Sequence, residues 1–587
     1  MDLLGLRTLT VIGDAIKFIY ETTGDKLDID KIPLDDEATC SMLRKGDTQG
    51  VFQLESGGMT KLVMDLGPES FEDLIPLVAL YRPGPLGTGM VEDFIAGRHG
   101  EKTAEMLHPL LEPVLKDTFG VILYQEQVMQ ITSVLAGFSL GQADILRRAM
   151  GKKKAKELDS MREAFIDGAQ QKHGISPQLS SEIFALLQHF AGYGFNKSHS
   201  AAYALVAYQT AYLKAHWPAE FMAAFLTSVI SDSEKLSWYI SVCRSMGLKI
   251  LPPDVNESGR SFSVNKDRVI RFGLAGVKNV GENAIGSILQ ARKEGPFKSL
   301  MDFCKRVDNR AVNKRMLENL IKCGAMDSFG YKRSELLAVA EQAMDMGSNY
   351  QKDYQSGQMG LFGDDSFADV NELRIPELEE IPKRTILQYE KELIGFYVTG
   401  NPLDAYVGSL YYYTPLRKIS DASEVLDGKY FSVAGIISDC RIRNTRQGDS
   451  MAILTLEDFN GKMEIVVFPK VYRDAARLLY QENAISVEGK LSIDERERKI
   501  QALKIKPLQE VPPDLHIKIM KKDENGIVQK GLKQIFESFS GDTPVYLHLI
   551  DSGKMIKVER CFWVDGKNAG VYQALDDLLG ENWYLKG

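Results

Sequence analysis

From Leu3 to about Trp217 apolar residues recur at three- and four-residue intervals, in stretches parted by Gly and Pro punctuation such as Arg82-Pro83-Gly84-Pro85. That spacing predicts one large helical unit. A second helical stretch runs on to about Ser258, and Arg271 to Ala284 then has the pattern of a helix-hairpin-helix, with Asn313 to Gly330 as the second half of a tandem pair. Near Tyr430 the period changes to two. Strand candidates begin near Tyr430, Met451, Lys462, Ala484 and Lys499, the count and spacing of an OB barrel. Beyond Pro512, strands (Val545 to Ile550, Lys554 to Phe562) mix with a helix near Val571 to Leu579. The expected fold class is therefore multidomain: mostly α, with a tandem helix-hairpin-helix, then an all-β OB barrel and a small α/β domain at the C-terminal end.

Length and composition bound this picture. A chain of 587 residues holds several cores rather than one. Charged residues at 26% and hydrophobic ones at 44% describe a soluble globular protein, and there is no apolar run long enough to span a bilayer. Asp2 and Arg7 interrupt any secretory signal at Met1. Cys40, Cys243, Cys304, Cys323, Cys440 and Cys561 lie far apart with no Cys-x-x-Cys pair, as expected of plain core residues in a reducing cytoplasm rather than a zinc site. A net charge of −9 repels a polyanion as a whole, so nucleic-acid contact has to come from local basic patches.

Several such patches exist. The run Phe195 to Tyr203, after Gly192-Tyr193-Gly194, delivers a cation, an imidazole and a phenol onto one helix start. Ser198 reads as the N-cap, Lys197 then sits where free amides favour anions, and Asn196, His199 and Tyr203 share a helical face. An amphipathic core helix with incidental polar residues would use the same letters. Arg147 and Arg148, after the amphipathic segment Leu135 to Leu140 and within a cluster completed by Lys152, Lys153, Lys154 and Lys156, match triphosphate oxygens through the guanidinium fork, although most basic runs are solvated helix faces. In the first hairpin, Lys278, Asn279 and Gly281 lie where a tight turn brings backbone amides to a phosphate; short hairpins also serve as mere connectors. Arg441, Arg443 and Arg446 decorate a loop of the barrel with Tyr430 or Phe431 available for stacking. Residues 345–370 are polar and poor in aliphatics, as in a mobile linker, and within them Gln358, Leu361 and Phe362 set two large apolar side chains where a partner's pocket, or collapse onto the parent domain, would take them.

Four further stretches, Gly46-Asp47-Thr48 through Gln53-Leu54-Glu55-Ser56, Ala79 to Leu86, Tyr124-Gln125-Glu126-Gln127-Val128-Met129 and Leu146 to Lys154, stand with Phe195 to Tyr203 in the order found in the alpha subunits of bacterial replicative DNA polymerase III, the C-family polymerases. The chain resembles that family from the end of the palm onward. The resemblance implies DNA-directed DNA polymerase activity, with Arg147, Arg148, Lys197, His199 and Tyr203 on the incoming dNTP. It also implies primer-template DNA as a partner, a Gln-x-x-Leu-Phe grip on the sliding clamp (beta subunit), and the proofreading exonuclease and clamp-loader tau subunits as further partners. It divides the chain into the end of the palm and a connector (1–39), fingers (40–258), hairpin region (259–344), linker (345–370), helical connector (371–425), OB fold (426–511) and C-terminal domain (512–587).

Template-directed phosphoryl transfer needs two divalent cations bridged by carboxylates, Mg2+ in the complete enzyme. Asp2 matches the family's third palm aspartate and is the one metal ligand the resemblance carries over. The family's Asp-x-Asp pair lies upstream of the matching region, and Asp28-Ile29-Asp30 falls in a polar stretch that marks it as a solvated look-alike. The chain is thus expected to be inactive alone. The alternative is a non-catalytic DNA- and clamp-binding adaptor descended from the same subunit.

Overall fold

The structure, a computed structural model, describes residues 5–102, 106–151, 155–191, 194–355, 373–420, 426–445, 448–459, 461–494, 497–510, 512, 514–520, 526–580 and 583–584. The chain divides into two units, Met1–Phe396 and Tyr397–Gly587.

The first unit is helical, and two apolar clusters organise its first half. One gathers Cys40, Leu43, Leu54, Leu62 and Leu77 around the small residues Ala204, Ala207 and Ala211 of the helix Lys197–His216. The other holds Ile131, Leu135, Leu146, Phe165, Phe184 and Leu187. They meet at the start of the helix Gln125–Ala136, where Tyr124 belongs to the first cluster and Val128 to the second. That helix ends at Gly137, left-handed at φ 73°. The stretch Leu135 to Leu140 is therefore a helix end, a turn and a new start rather than one amphipathic segment. Ser139 and Gln142 exchange hydrogen bonds at the start of the next helix, Leu140–Gly151, in the manner of a capping box. Gly168, on the helix Ala155–His173, lets the two backbones touch: a Cβ there would lie 2.3 Å from the Ala136 carbonyl oxygen.

Helices give out at Ser245 rather than near Ser258, and a small sheet of Ile250–Leu251, Ser263–Val264 and Ile270–Arg271 follows. In the first hairpin only the second arm, Glu282–Ala291, is an α-helix; the first is the sheet's last strand and a single 3-10 turn, Leu274–Gly276. The reason is Phe272, buried between the Phe262 and Phe396 rings with its amide donating to the Leu251 carbonyl. The second hairpin region contains the helix Lys314–Lys322 and the turn Asp327–Phe329.

The helix Arg333–Gln355 runs through the first part of the stretch expected to be a linker. Its polar residues have work within the fold. Gly347 lies against the Cys304 backbone, and the Gln351 amide donates to the carbonyls of Cys304, Lys305 and Val307 at 3.3, 3.0 and 2.5 Å, closing the end of the helix Leu300–Arg306. Gln358, Leu361 and Phe362 lie outside the described residues. The helix Lys383–Ile394 belongs to this unit, tied in by the buried pair Arg333–Glu390 at 3.1 Å.

The second unit opens with short helical turns and then the barrel. Its strands, Tyr430–Asn444, Ser450–Glu457, Lys462–Val467, Ala484–Asp494 and Glu497–Pro507, close in the order first, second, third, fifth, fourth. The third and fifth pair in parallel and the other neighbours antiparallel, the connectivity of an OB fold. Alternate residues such as Val433, Leu454, Leu456, Ile465, Ile485, Val487 and Ile500 fill it. Beyond it, Leu515–Ile519 and Val545–Leu549 pair in parallel across the helix Gly526–Ser538, with Lys554–Lys557 antiparallel at the edge and the helix Ala569–Leu579 in the same core. The expected strand from Lys554 to Phe562 stops at Lys557 and turns at Arg560–Phe562. Of the cysteines, Cys40, Cys243, Cys304 and Cys323 are core residues; Cys561 is exposed, against expectation.

Candidate nucleotide and nucleic-acid interface

The helix Lys197–His216 begins two residues earlier than the sequence suggests. Asn196, not Ser198, is its N-cap, with its side-chain oxygen accepting from the His199 amide at 2.7 Å. Both residue types cap well, and the extended φ/ψ of Asn196 decides between them. The N-terminus is not open to an anion from solution. The Glu126 carboxylate sits on it, accepting from the Lys197 amide at 3.0 and 3.1 Å and from the Asn196 side-chain amide at 3.1 Å.

Glu126 is delivered by a short junction between distant parts of the chain. Tyr124 and Phe195 form a parallel bridge: the Phe195 amide donates to the Leu123 carbonyl and the Gln125 amide to the Phe195 carbonyl. Next to it, the Gln125 side chain donates to the Gly194 carbonyl at 3.1 Å and accepts from the Arg147 guanidinium at 3.0 Å. Gln127 turns inward and accepts from the Leu123 and Tyr124 amides. Tyr124 lies buried beneath the Lys197 ammonium, 5.4 Å from its ring centre, and burial pushes its phenol well up. Tyr124, Gln125 and Glu126 thus join the helix that carries Arg147 to the helix that carries Lys197.

Arg147 and Arg148 share one counterion. Arg147 reaches Asp144 Oδ1 at 2.8 and 3.0 Å and Arg148 reaches Oδ2 at 2.7 Å, which holds the Asp144 carboxyl below the usual carboxylate range. Being neighbours on a helix they diverge: Arg147 faces Gln125 at 26% exposure, and Arg148 stays in solvent at 67%. Lys152, Lys153 and Lys154 lie outside the described residues, as does Asp2.

From Phe195 a ladder of rings climbs the helix at four-residue steps. Phe195 meets His199 at 5.5 Å, His199 meets Tyr203 at 4.3 Å, and Tyr203 meets Phe52 at 5.4 Å. Arg82 covers the other end, its guanidinium carbon 4.3 Å from the Phe195 ring centre; burial lowers its pKa. Phe52 is brought there by a loop that Lys214 ties down, its ammonium donating to the Asp47 and Gln49 carbonyls at 2.8 Å each. This lysine is 3% exposed, and burial lowers its pKa to about 8. His199 is exposed while Phe195 and Tyr203 are half-buried, so the ladder offers ring edges and faces to a ligand. Arg82, Phe52, Gln125 and Glu126 were within the motifs already picked out. Only their role at the site escaped sequence reading, because each acts through a partner far away in the chain.

The other expected residues lie apart from this cluster. In the first hairpin the left-handed residue is Asn279, at φ 65°; Gly281, at φ −79°, caps the helix Glu282–Ala291 with open space around it. The Lys278 backbone amide is spent on the Leu393 carbonyl at 2.8 Å, and its side chain is exposed. In the second unit Arg441 and Arg443 stand on the first barrel strand, not in a loop, exposed at register positions opposite Ile453 and Met451. Arg441 pairs with Asp439 at 2.7 Å, and Arg446 lies outside the described residues. Tyr430 is 74% exposed, whereas Phe431 packs on the barrel core, so Tyr430 is the ring open to stacking. Asp28 and Asp30 are exposed at a 3-10 turn where Asp28 pairs with Lys31 at 2.8 Å. Among the described residues no three His, Cys, Asp or Glu side chains gather as metal ligands would.

Comparison with known proteins places these features. The bacterial DNA polymerase III alpha subunit finger domain matches residues 8–173, a helix-hairpin-helix motif residues 247–336, and an OB-fold nucleic acid binding domain residues 431–508. The finger match begins within the stretch read as palm end and connector. The DNA polymerase III subunit alpha of Thermus aquaticus is 42% identical over 563 residues, which cover 94% of this chain and 45% of that protein. The one from Pseudomonas aeruginosa is 41% identical over 621 residues, 99% of this chain and 52% of that protein, and the one from Escherichia coli K12 is 43% identical over 505, 84% and 43%. The chain spans about half the length of these curated relatives. In its finger, hairpin and OB-fold parts and in its sequence, it belongs to the DNA polymerase III alpha-subunit family.

Proposed function

We propose that this chain forms the fingers, DNA-tracking and OB-fold portion of a replicative DNA-directed DNA polymerase. Arg147, Arg148 and Lys197 hold the triphosphate of the incoming dNTP, and His199 and Tyr203 line the same pocket. Lys278 with the hairpin turn, and Arg441, Arg443 and Arg446 with Tyr430, follow primer-template DNA. Gln358, Leu361 and Phe362 grip the sliding clamp, and the proofreading exonuclease and tau subunits complete the assembly in the cytoplasm. The observation that carries this reading is the junction at Gln125 and Glu126, which sets Arg147 beside the start of the Lys197 helix although the two are fifty residues apart in sequence.

The chemistry these side chains perform is gripping and orienting. A guanidinium fork and an ammonium neutralise phosphate oxygens, and charge-assisted contacts of this kind are about twice as strong as neutral ones. Mg2+ would neutralise the leaving pyrophosphate in the complete enzyme, with Asp2 among its ligands by resemblance. The described side chains do not make a metal centre.

The test is binding of primed DNA to the purified chain, followed by fluorescence anisotropy. If roughly 6–10 phosphates are neutralised, affinity falls about 10³–10⁵-fold between 50 and 200 mM salt, and the chain alone does not extend the primer. A salt-insensitive affinity, or sustained incorporation by the isolated chain, defeats this reading.

A further inference from the structure

We propose that Gln125 and Glu126 are positioning residues of the nucleotide-phosphate site, fixing the Arg147 guanidinium and the Lys197 ammonium in one register; the inference rests on the nucleotide reading given above. Neither side chain carries positive charge and neither needs to touch a phosphate. Gln125 has one acceptor and one donor in use, Oε1 toward Arg147 and Nε2 toward the Gly194 carbonyl, so a single planar amide spans the gap between two segments. Glu126, the next residue, fastens the first turn of the Lys197 helix through three hydrogen bonds. Their backbones are locked to each other by the Tyr124–Phe195 bridge. Movement of either helix end would separate the two cations, and a displacement of about 1 Å is enough to cost a bound ligand heavily.

Electrostatics makes the proposal sharp. A carboxylate beside a triphosphate repels it, so a Glu126 without a positioning role would oppose binding, and its loss would help. A positioning role predicts the opposite for one variant and not for another. Glu126→Ala removes both charge and acceptor and should weaken binding. Glu126→Gln removes the charge but keeps an acceptor for the Lys197 amide, so it should bind at least as well as the parent.

The experiment is isothermal titration of dATP into the full chain and five variants, Lys197→Ala alone among them, at low salt, with thermal melts to confirm folding. Gln125→Ala and Glu126→Ala should each weaken dATP binding roughly five- to tenfold, the net worth of one good hydrogen bond. Glu126→Gln should retain parental affinity or exceed it. Adding Lys197→Ala to Glu126→Ala should cost less than the sum of the two, because one acts through the other. Tighter binding by Glu126→Ala, strictly additive losses, or unchanged affinity in Gln125→Ala overturns the proposal. If Glu126→Ala does not fold, the neutral Gln125→Ala variant decides. Absence of saturable dATP binding by the parent chain instead removes the nucleotide reading, and this inference with it.

Discussion

The fingers cluster and the rim of the OB barrel both present arginines, and they hold them differently. Arg147 is seated between Asp144 and Gln125, and the first turn of the neighbouring helix is occupied by Glu126. Arg443 stands exposed on its strand with no ion pair among the described residues, and its neighbour Arg441 is tied to an aspartate two positions before it. Immobilised cations suit a ligand of one shape, such as a triphosphate. Loosely held ones suit a repeating backbone that slides past, where adaptability matters more than register. Location of a charge is therefore less informative than what restrains it.

Graded substitutions test that scale. At its restrained end, Arg333 is 4% exposed and meets Glu390, fully buried, and Asp327. Arg333→Ala takes a 3.1 Å cationic partner from a buried carboxylate and should cost about 3–5 kcal/mol of stability, read by chemical denaturation. A loss under about 1 kcal/mol would mean that restraint and energetic weight are unrelated here. Arg147→Ala should reduce nucleotide efficiency by roughly 10- to 150-fold, about 1.5–3 kcal/mol, in a polymerase assembled with the portion of its relatives this chain does not span. Arg147→Lys should recover only part, and DNA affinity should barely move. An equal loss in both measurements would make Arg147 a backbone contact and erase the contrast with the barrel.

Lys214 tests restraint through pH. Its folded pKa is lowered by burial, from 10.5 to about 8. Below pH 8 both folded and unfolded states are protonated and the penalty is constant; between about 8 and 10.5 the unfolded state holds more protons, so stability rises with pH. Between pH 8 and 9.5 the parent should gain about 1–2 kcal/mol relative to Lys214→Met. Equal pH profiles for parent and variant would show that the ammonium is better solvated than its burial implies. The smallest effect belongs to the free end: Arg443→Ala should weaken single-stranded DNA binding by less than about 1 kcal/mol and flatten the salt slope by about 0.7. An unchanged slope would remove Arg443 from the DNA path.

How far the sequence could be read follows from the range of each interaction. The barrel strands begin where period-two alternation places them, at Tyr430, Lys462 and Ala484, because inward-facing residues of a small barrel must alternate. The helix start at Asn196 was missed by two residues, since Asn and Ser compete for the same role. Residues 345–355 look like a linker because their polarity is real, but Gln351 spends it on the end of another helix, which no local pattern reveals. Arg441 and Arg443 were placed in a loop because charge on an exposed strand face resembles loop composition. The motifs that form the cluster around Arg147 and Lys197 were legible, and the junction joining them was not: its contacts run between residues about seventy positions apart.

That separation governs when the cluster can come into being. Gln125 and Arg147 leave the ribosome well before Phe195 and Asn196, and the bridge from Tyr124 to Phe195 has to await the later segment. Closing a loop of that length carries an entropic cost that grows only slowly with chain length, yet it must be met before any contact across it is rewarded. The cluster built on Ile131, Leu146 and Phe165 draws on residues Leu111 to Leu187 and can condense first, whereas the one around Tyr208 needs both sides of the bridge. Substitutions at Gln125 should therefore alter unfolding far more than early collapse, and the junction of Gln125 and Glu126 with the Lys197 helix is among the last features of the first unit to acquire its shape during synthesis.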